Sequence, residues 1–291
     1  MRVPSRRAQR LQGNPGFTLV EVLVSVTILT IVLAMVFTAF MHTRKIALRH
    51  QLDMDIMQHA RIGLNEMART IRMIGYGRDI RKGQAALIEV APFQIIFTAN
   101  LDEQLAPADR EAALPPGASL PLYDATTYVT PMQNYTTGAE TYRWTLDTNG
   151  DGIVDHLDTN DNPEEKNTPQ NLHDMVLIRE VNGKADGQVT TGIRGPYDAY
   201  GEPTFLPPLF QYWLLEPDHS FSLLGDTNED GQLTGDERYF RSITSQVVLR
   251  KIRRIRITVT AESDRPDPLN RAEYRSIQIS SEVTLRNMEH K

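Results

Sequence analysis

Two stretches carry oxygen-bearing side chains at the spacing of a calcium loop. "DTNGDGIVDHLD" occupies Asp147 to Asp158, and "DTNEDGQLTGDE" occupies Asp226 to Glu237. Such a twelve-residue loop takes oxygen donors at positions 1, 3, 5, 9 and 12, a glycine at 6 for the sharp turn, and a backbone carbonyl at 7. The first stretch offers Asp147, Asn149, Asp151, the Ile153 carbonyl, Asp155 and Asp158; the second offers Asp226, Asn228, Asp230, the Gln232 carbonyl, Thr234 and Glu237. Hard oxygen donors with no His or Cys among them favour calcium over zinc or copper. Asp, Asn and Gly also build plain solvated turns, but here the donors and the glycine fall into register twice. The first loop closes on Asp158 instead of Glu, so bidentate closure needs a nearer backbone there. The string Asp158 to Asn162 lacks the glycine and reads as a polar turn. Neither loop has EF-hand flanks: "TYRWTL" before the first reads as a strand and Pro163 soon follows. A helix-opening sensor is not the expectation from such flanks, and the expected role is two structural calcium ions that staple the fold.

A third chemical feature is Glu21, a carboxylate inside the otherwise apolar or small run Phe17 to about Met41. A charge deep in a bilayer costs at least about 2.5–3.5 kcal/mol, so such a residue marks function. At roughly 25 residues and about 1.5 Å per residue the run spans a membrane as a helix. Arg2, Arg6, Arg7 and Arg10 precede it with no acid among residues 1–16, and positive flanks stay cytoplasmic, so the carboxyl end points outward. A cleaved secretory signal fits poorly, because its apolar core is shorter and ends in small residues. Glu21 in the first helical turn sits near the interface, where the helix dipole favours an anion.

Gly16-Phe17-Thr18-Leu19-Val20-Glu21 resembles the class III signal of type IV pilins and type II secretion pseudopilins. The resemblance implies a prepilin peptidase that cuts after Gly16 and methylates Phe17, which becomes the new amino terminus with Glu21 as its fifth residue. It also implies that Glu21 pairs with the Phe17 amino group of a neighbouring subunit within a filament. Removing the leader takes the net charge from −6 to −10. "RIGLNEMARTIRMIGYG", Arg61 to Gly77, and the ending "VTLRNM", Val283 to Met288, are similar to PilW-like and J-type minor pilins. The partners so implied are other major and minor pilins, the prepilin peptidase, the inner-membrane pilus assembly machinery and membrane lipid. The implied location is the inner membrane, crossed once with the carboxyl-terminal domain in the periplasm, and then the filament.

These features need a scaffold. No proline lies between Phe17 and Ala91, and Ile56, Ala60, Gly63, Met67, Ile71 and Ile74 keep a three-to-four spacing, which predicts one helix from about Thr18 to Ile74 stopped by Gly75-Tyr76-Gly77. Strands are expected over 93–99, 174–181, 210–215, 252–260 and 274–285. Ile255, Ile257 and Val259 alternate with Arg254, Arg256 and Thr258, which suits an antiparallel sheet covered on one face by the helix. The expected fold class is α+β and pilin-like: a long N-terminal helix, transmembrane in its first half, packed on an antiparallel β-sheet, with loop inserts carrying calcium-type sites. Its parts are a leader (1–16), a membrane or filament-core half-helix (17–41), an amphipathic half-helix (42–77), and a β-domain (78–291) with inserts at about 100–170 and 217–240.

With 291 residues, a net charge of −6 and no cysteine, the chain offers no thiol nucleophile and no disulfide. No basic stripe with interleaved aromatics marks a nucleic-acid surface. The seven histidines are scattered, and no G-x-S-x-G, phosphate loop or H-E-x-x-H occurs. A non-catalytic minor pilin that helps start or cap a type IV filament is the leading expectation. A J-type minor pseudopilin of type II secretion, or a membrane-anchored calcium-dependent adhesin, stands as the alternative.

Overall fold

The computed structural model describes residues 18–78, 85–101, 139–149, 154, 158, 174–181, 184–197, 201–270 and 273–288. Gly16, Phe17, Asp151, Ile153, Asp155 and most of the expected insert at about 100–170 lie outside them. The chain divides into two units after Leu48.

Helix α1 runs Leu19–Ile71. Within the first unit its large apolar side chains, among them Leu23, Ile28, Leu33 and Phe37, are exposed. It is long and apolar enough to cross a membrane, and none of its most apolar window is buried. The hydroxyls of Thr27, Thr30 and Thr38 donate at 2.8 Å to the carbonyls of Leu23, Val26 and Ala34. Their polarity is thus absorbed by the backbone four residues earlier, as an apolar surrounding requires.

Within the second unit α1 buries Ile56, Ala60, Gly63, Leu64, Met67, Ala68 and Ile71. This is the stripe expected from the spacing, and each large apolar member contributes about 1.5–3 kcal/mol. The helix ends three residues before the expected Ile74. Met73 and Ile74 donate to Thr70 and Ile71 at 3.0 and 3.1 Å, so the last turn tightens to three-residue bonds. Gly75 and Gly77 then adopt φ of +75° and +67°, left-handed backbone that glycine enters without strain.

Among the described residues nine antiparallel strands follow: β1 (Leu87–Ala91), β2 (Gln94–Ala99), β3 (Glu140–Thr145), β4 (Asp174–Val181), β5 (Lys184–Arg194), β6 (Phe210–Leu215), β7 (Phe221–Leu223), β8 (Ile252–Pro266) and β9 (Tyr274–Thr284). The order is β1-β2-β3-β4-β5-β8-β6-β7, with β9 also on β8. Ile255 of β8 faces both Tyr212 and Val283, and Ala261 faces both Ile193 and Ile277. Hence β9 takes one edge of β8, while β6 and β5 follow each other along the opposite edge.

The arrangement is the α+β, pilin-like one expected, with corrections in detail. Strand β5 escaped the sequence because Asp186, Gly187 and Gly192 break its period, and its pairing with β4 shifts register three times. Gly192 has φ +73°, and a Cβ there would meet the Glu262 carbonyl at 2.9 Å. Strand β7 lies inside the expected insert 217–240. One-sided covering of β8 holds only at its start: Arg256 is exposed, whereas Thr258, Thr260 and Glu262 are buried, Glu262 against Arg194 at 2.9 Å.

Polar ties fix α1 on the sheet. The buried Trp144 indole donates to Thr70 Oγ1 at 2.9 Å, Arg179 pairs with Glu66 at 2.9 Å, and Arg275 pairs with Asp53 at 3.0 Å. Gly63 permits the approach, since a Cβ there would stand 2.9 Å from Thr190 Cγ2.

Candidate functional site

At the start of α1, Glu21 has a local partner. Its Oε2 accepts from the Thr18 amide and the Thr18 hydroxyl, both at 2.9 Å, and the Glu21 amide donates to Thr18 Oγ1 at 3.3 Å. This reciprocal pair is a capping box, with Thr18 as N-cap and Glu21 three residues on. The T-x-x-E spacing that signals this box is present in the sequence from Thr18 to Glu21. The carboxylate thus satisfies the Thr18 amide and the Thr18 hydroxyl oxygen the Glu21 amide, two donors that the helix start leaves without backbone partners.

All six expected donors of the second loop are described, and the side chains of Asp226, Asn228, Asp230 and Glu237 accept hydrogen bonds from amides of the loop itself. Asp226 Oδ2 accepts from the Gly231 amide at 2.8 Å, Asn228 Oδ1 from Asp230 at 2.9 Å, and Asp230 Oδ1 from Gln232 at 2.8 Å. Gly231 at position 6 has φ +79°, the sharp turn its place demands. Glu237 closes the loop from position 12: Oε1 accepts from the amides of Thr227 and Asn228 at 2.9 and 3.2 Å, and Oε2 from the Thr234 amide at 3.1 Å. The Thr227 hydroxyl, then the amides of Thr234, Thr227 and Asn228, hold the Glu237 carboxyl down at about 2. Asp226 Oδ1 is buried and accepts no hydrogen bond. The residues after the loop, Tyr239 and Phe240, line a cleft of about 460 Å³ together with Phe93, Val154, Tyr197 and Arg241.

The first loop is described only at Asp147, Thr148, Asn149, Val154 and Asp158. Its closing contact repeats that of the second: Asp158 Oδ1 accepts from the Thr148 and Asn149 amides at 2.7 and 3.2 Å. Its surroundings differ. Asp147 and Asp158 are 2% and 1% exposed, and Asp147 Oδ2 is held by the guanidinium of Arg143 on β3. Arg143 also reaches Glu180 at 3.1 Å and Gln94 at 2.7 Å. Sequence reading missed Arg143, although its place four residues before Asp147 on a strand entering the loop was legible.

Among the described residues no three His, Cys, Asp or Glu side chains converge as one metal cluster. Glu237 explains this for the second loop, because its oxygens are turned to backbone amides instead of toward Asp226 and Asp230.

Residues 12–37 match the family model described as the prokaryotic N-terminal methylation motif. No curated protein and no solved structure matches the chain. The motif supports a type IV pilin-like protein, processed by prepilin peptidase and assembled with other pilins in a pilus or pseudopilus. The exposed apolar start of α1 fits a single-pass inner-membrane anchor of such a protein.

Proposed function

We propose that this chain is a PilW-like minor pilin, structural in role, that enters a type IV filament and helps to start or cap it. The observation that carries the reading is the methylation motif at residues 12–37 running directly into a 53-residue helix. The helix is apolar and exposed at its start and lies on an antiparallel sheet at its end. In this reading the chain is cut after Gly16 and methylated at Phe17. Mass spectrometry of the amino terminus, from membranes and from sheared filaments, tests it. A terminus at Phe17 with one added methyl group, present in filaments, supports the proposal. An intact leader or a cut well downstream of Phe17 overturns it. The similarity of Arg61 to Gly77 to J-type subunits keeps a type II secretion pseudopilin as the second reading, and it gains if the processed chain is absent from pili.

In the filament Glu21 would leave its own cap and pair with the Phe17 amine of a neighbour. Glu21→Gln separates the two roles, because glutamine still caps at this position but carries no charge. Loss of filament incorporation in that variant supports intersubunit pairing, and normal incorporation removes it.

Two structural calcium ions belong to the same proposal. The donor set of the second loop fits a hard cation, and the partnerless Asp226 Oδ1 is an acceptor that a cation would satisfy. Asp226, Asn228, Asp230, Thr234, Glu237 and the Gln232 carbonyl would hold the ion, with Glu237 exchanging backbone amides for it. The ion supplies charge neutralisation alone. The first loop offers Asp147 and Asp158, with Asn149, Asp151, Asp155 and the Ile153 carbonyl between them.

A further inference from the structure

The cleft of about 460 Å³ beside the second loop takes its walls from several parts of the second unit. Pro92 and Phe93 belong to the turn between β1 and β2, and Tyr197 follows β5. Val154 lies in the first calcium-type loop, and Tyr239 and Phe240 come just after Glu237 closes the second. Packing fixes these walls. The rings of Tyr197 and Tyr239 stack with centroids 5.8 Å apart, and the Tyr239 hydroxyl donates to the Pro196 carbonyl at 3.3 Å. Phe240 lies against Gly225, where an added Cβ would stand 2.6 Å from its ring, and Phe93 is buried. The amides of Ile243 and Val90 donate to each other's carbonyls at 2.9 and 3.1 Å, which holds Arg241 and Ser242 beside β1.

Four polar side chains border this apolar surface with hydrogen-bonding capacity to spare. Arg241 and Ser242 are exposed, and their side chains have no hydrogen-bond or ion-pair partner among the described residues. The Tyr197 hydroxyl likewise lacks one, and Glu89 accepts only from Gln94, through Oε1 at 3.1 Å. Glu89 and Arg241 are the only charged side chains in the lining, and they do not pair with each other. The cleft therefore offers one anion, one cation and free hydroxyls, and carries no net charge. An anionic ligand would meet Glu89, and a cationic one would meet Arg241.

We propose that this cleft binds a small neutral saccharide, seated on the aromatic rings with its hydroxyls toward Glu89, Tyr197, Arg241 and Ser242. Its size and lining are those of a small-ligand site: about 300–1,000 Å³, largely apolar, with a few convergent polar groups. A pyranose has an apolar face of C–H bonds, which packs on an aromatic ring, and a rim of hydroxyls. Each hydroxyl both donates and accepts, so such a rim satisfies a guanidinium and a carboxylate alike without bringing a charge. Hydrogen bonds to those two charged groups are the stronger ones in the site. A zwitterion such as a free amino acid would engage Glu89 and Arg241 but leave the hydroxyls of Tyr197 and Ser242 unmet. The inference goes beyond the filament reading and rests on the cleft alone, so the two fail separately.

Binding of the labelled full chain, in micelles of a detergent without a sugar headgroup, to an array of neutral and acidic oligosaccharides provides the test. The expected result is retention on at least one neutral saccharide, competed by the same sugar in solution. Arg241→Ala and Glu89→Gln should each weaken it at least about tenfold, since each removes a charged hydrogen-bonding group. Tyr197→Phe keeps the ring and loses only the hydroxyl, so it should weaken binding less than Tyr197→Ala. Arg241→Ala, at an exposed position, decides the matter should the other variants lower the melting temperature. Retention on acidic saccharides alone, displacement by a free amino acid, binding indifferent to Arg241→Ala, or no retention on any saccharide overturns the proposal.

Discussion

The two calcium-type loops have the same donor pattern and the same closing contact, in which position 12 accepts from the amides of positions 2 and 3. They differ in what stands beside position 1. Asp147 is buried, and a buried guanidinium already neutralises it, whereas Asp226 keeps one buried oxygen with no partner. A motif thus states which atoms can meet a cation, and the surrounding fold states which cation has met them. Position 1 of the first loop already faces an internal cation, and position 1 of the second is left with a demand.

The largest expected effect comes from removing that internal cation. Arg143→Met removes the guanidinium that faces the buried Asp147 carboxylate, and breaking such a buried pair costs about 3–5 kcal/mol. Denaturant unfolding of the full chain in micelles reads it. A loss below about 1 kcal/mol would show that the two loops do not differ in this way.

Calcium addition ranks next. With a dissociation constant of about 10⁻⁴–10⁻³ M, roughly 10 mM calcium stabilises the folded chain by about 1.4–2.7 kcal/mol. Asp226→Asn and Asp151→Asn should each remove part of the shift in melting temperature, Asp226→Asn the larger part. Equal losses in both variants would make the loops equivalent, and no shift in the parent chain would remove calcium from the proposal.

Gly231→Ala should cost about 1 kcal/mol, all of it backbone strain. A Cβ there meets nothing within 4 Å, yet φ is +79°. No change in unfolding midpoint would mean that the turn relaxes.

The smallest effect is a pH dependence confined to the second loop. The folded Glu237 carboxyl lies at about 2 against an ordinary 4.5, a depressed value. Its contribution is fully present above about 4.5 and is lost as pH falls toward 2. Between those values Glu237→Gln should flatten the decline in stability of the parent chain. Parallel declines would place the titration elsewhere.

Much of the frame was legible from the residues. The buried stripe of α1, its glycine stop, and strands β2, β4, β6, β8 and β9 follow from period and turn chemistry, which are local. Strand β5 was not legible, because neighbours rather than its own alternation hold it, with Gly192 giving way where the Glu262 carbonyl approaches. Glu21 was legible as a residue needing a partner, and Thr18 was overlooked as the nearest one.

By itself the sequence determined the long helix with its exposed apolar start, the methylation motif, the strand-forming stretches and the positions of every candidate oxygen donor, because each of these rests on spacing within a few residues. Only the tertiary structure decided that Arg143 stands on Asp147, that Trp144 bonds Thr70, and that Glu89, Tyr197 and Arg241 line one cleft. Those contacts join residues through pairing and packing across the sheet, and the burial that sets their energies does not exist until the strands have met.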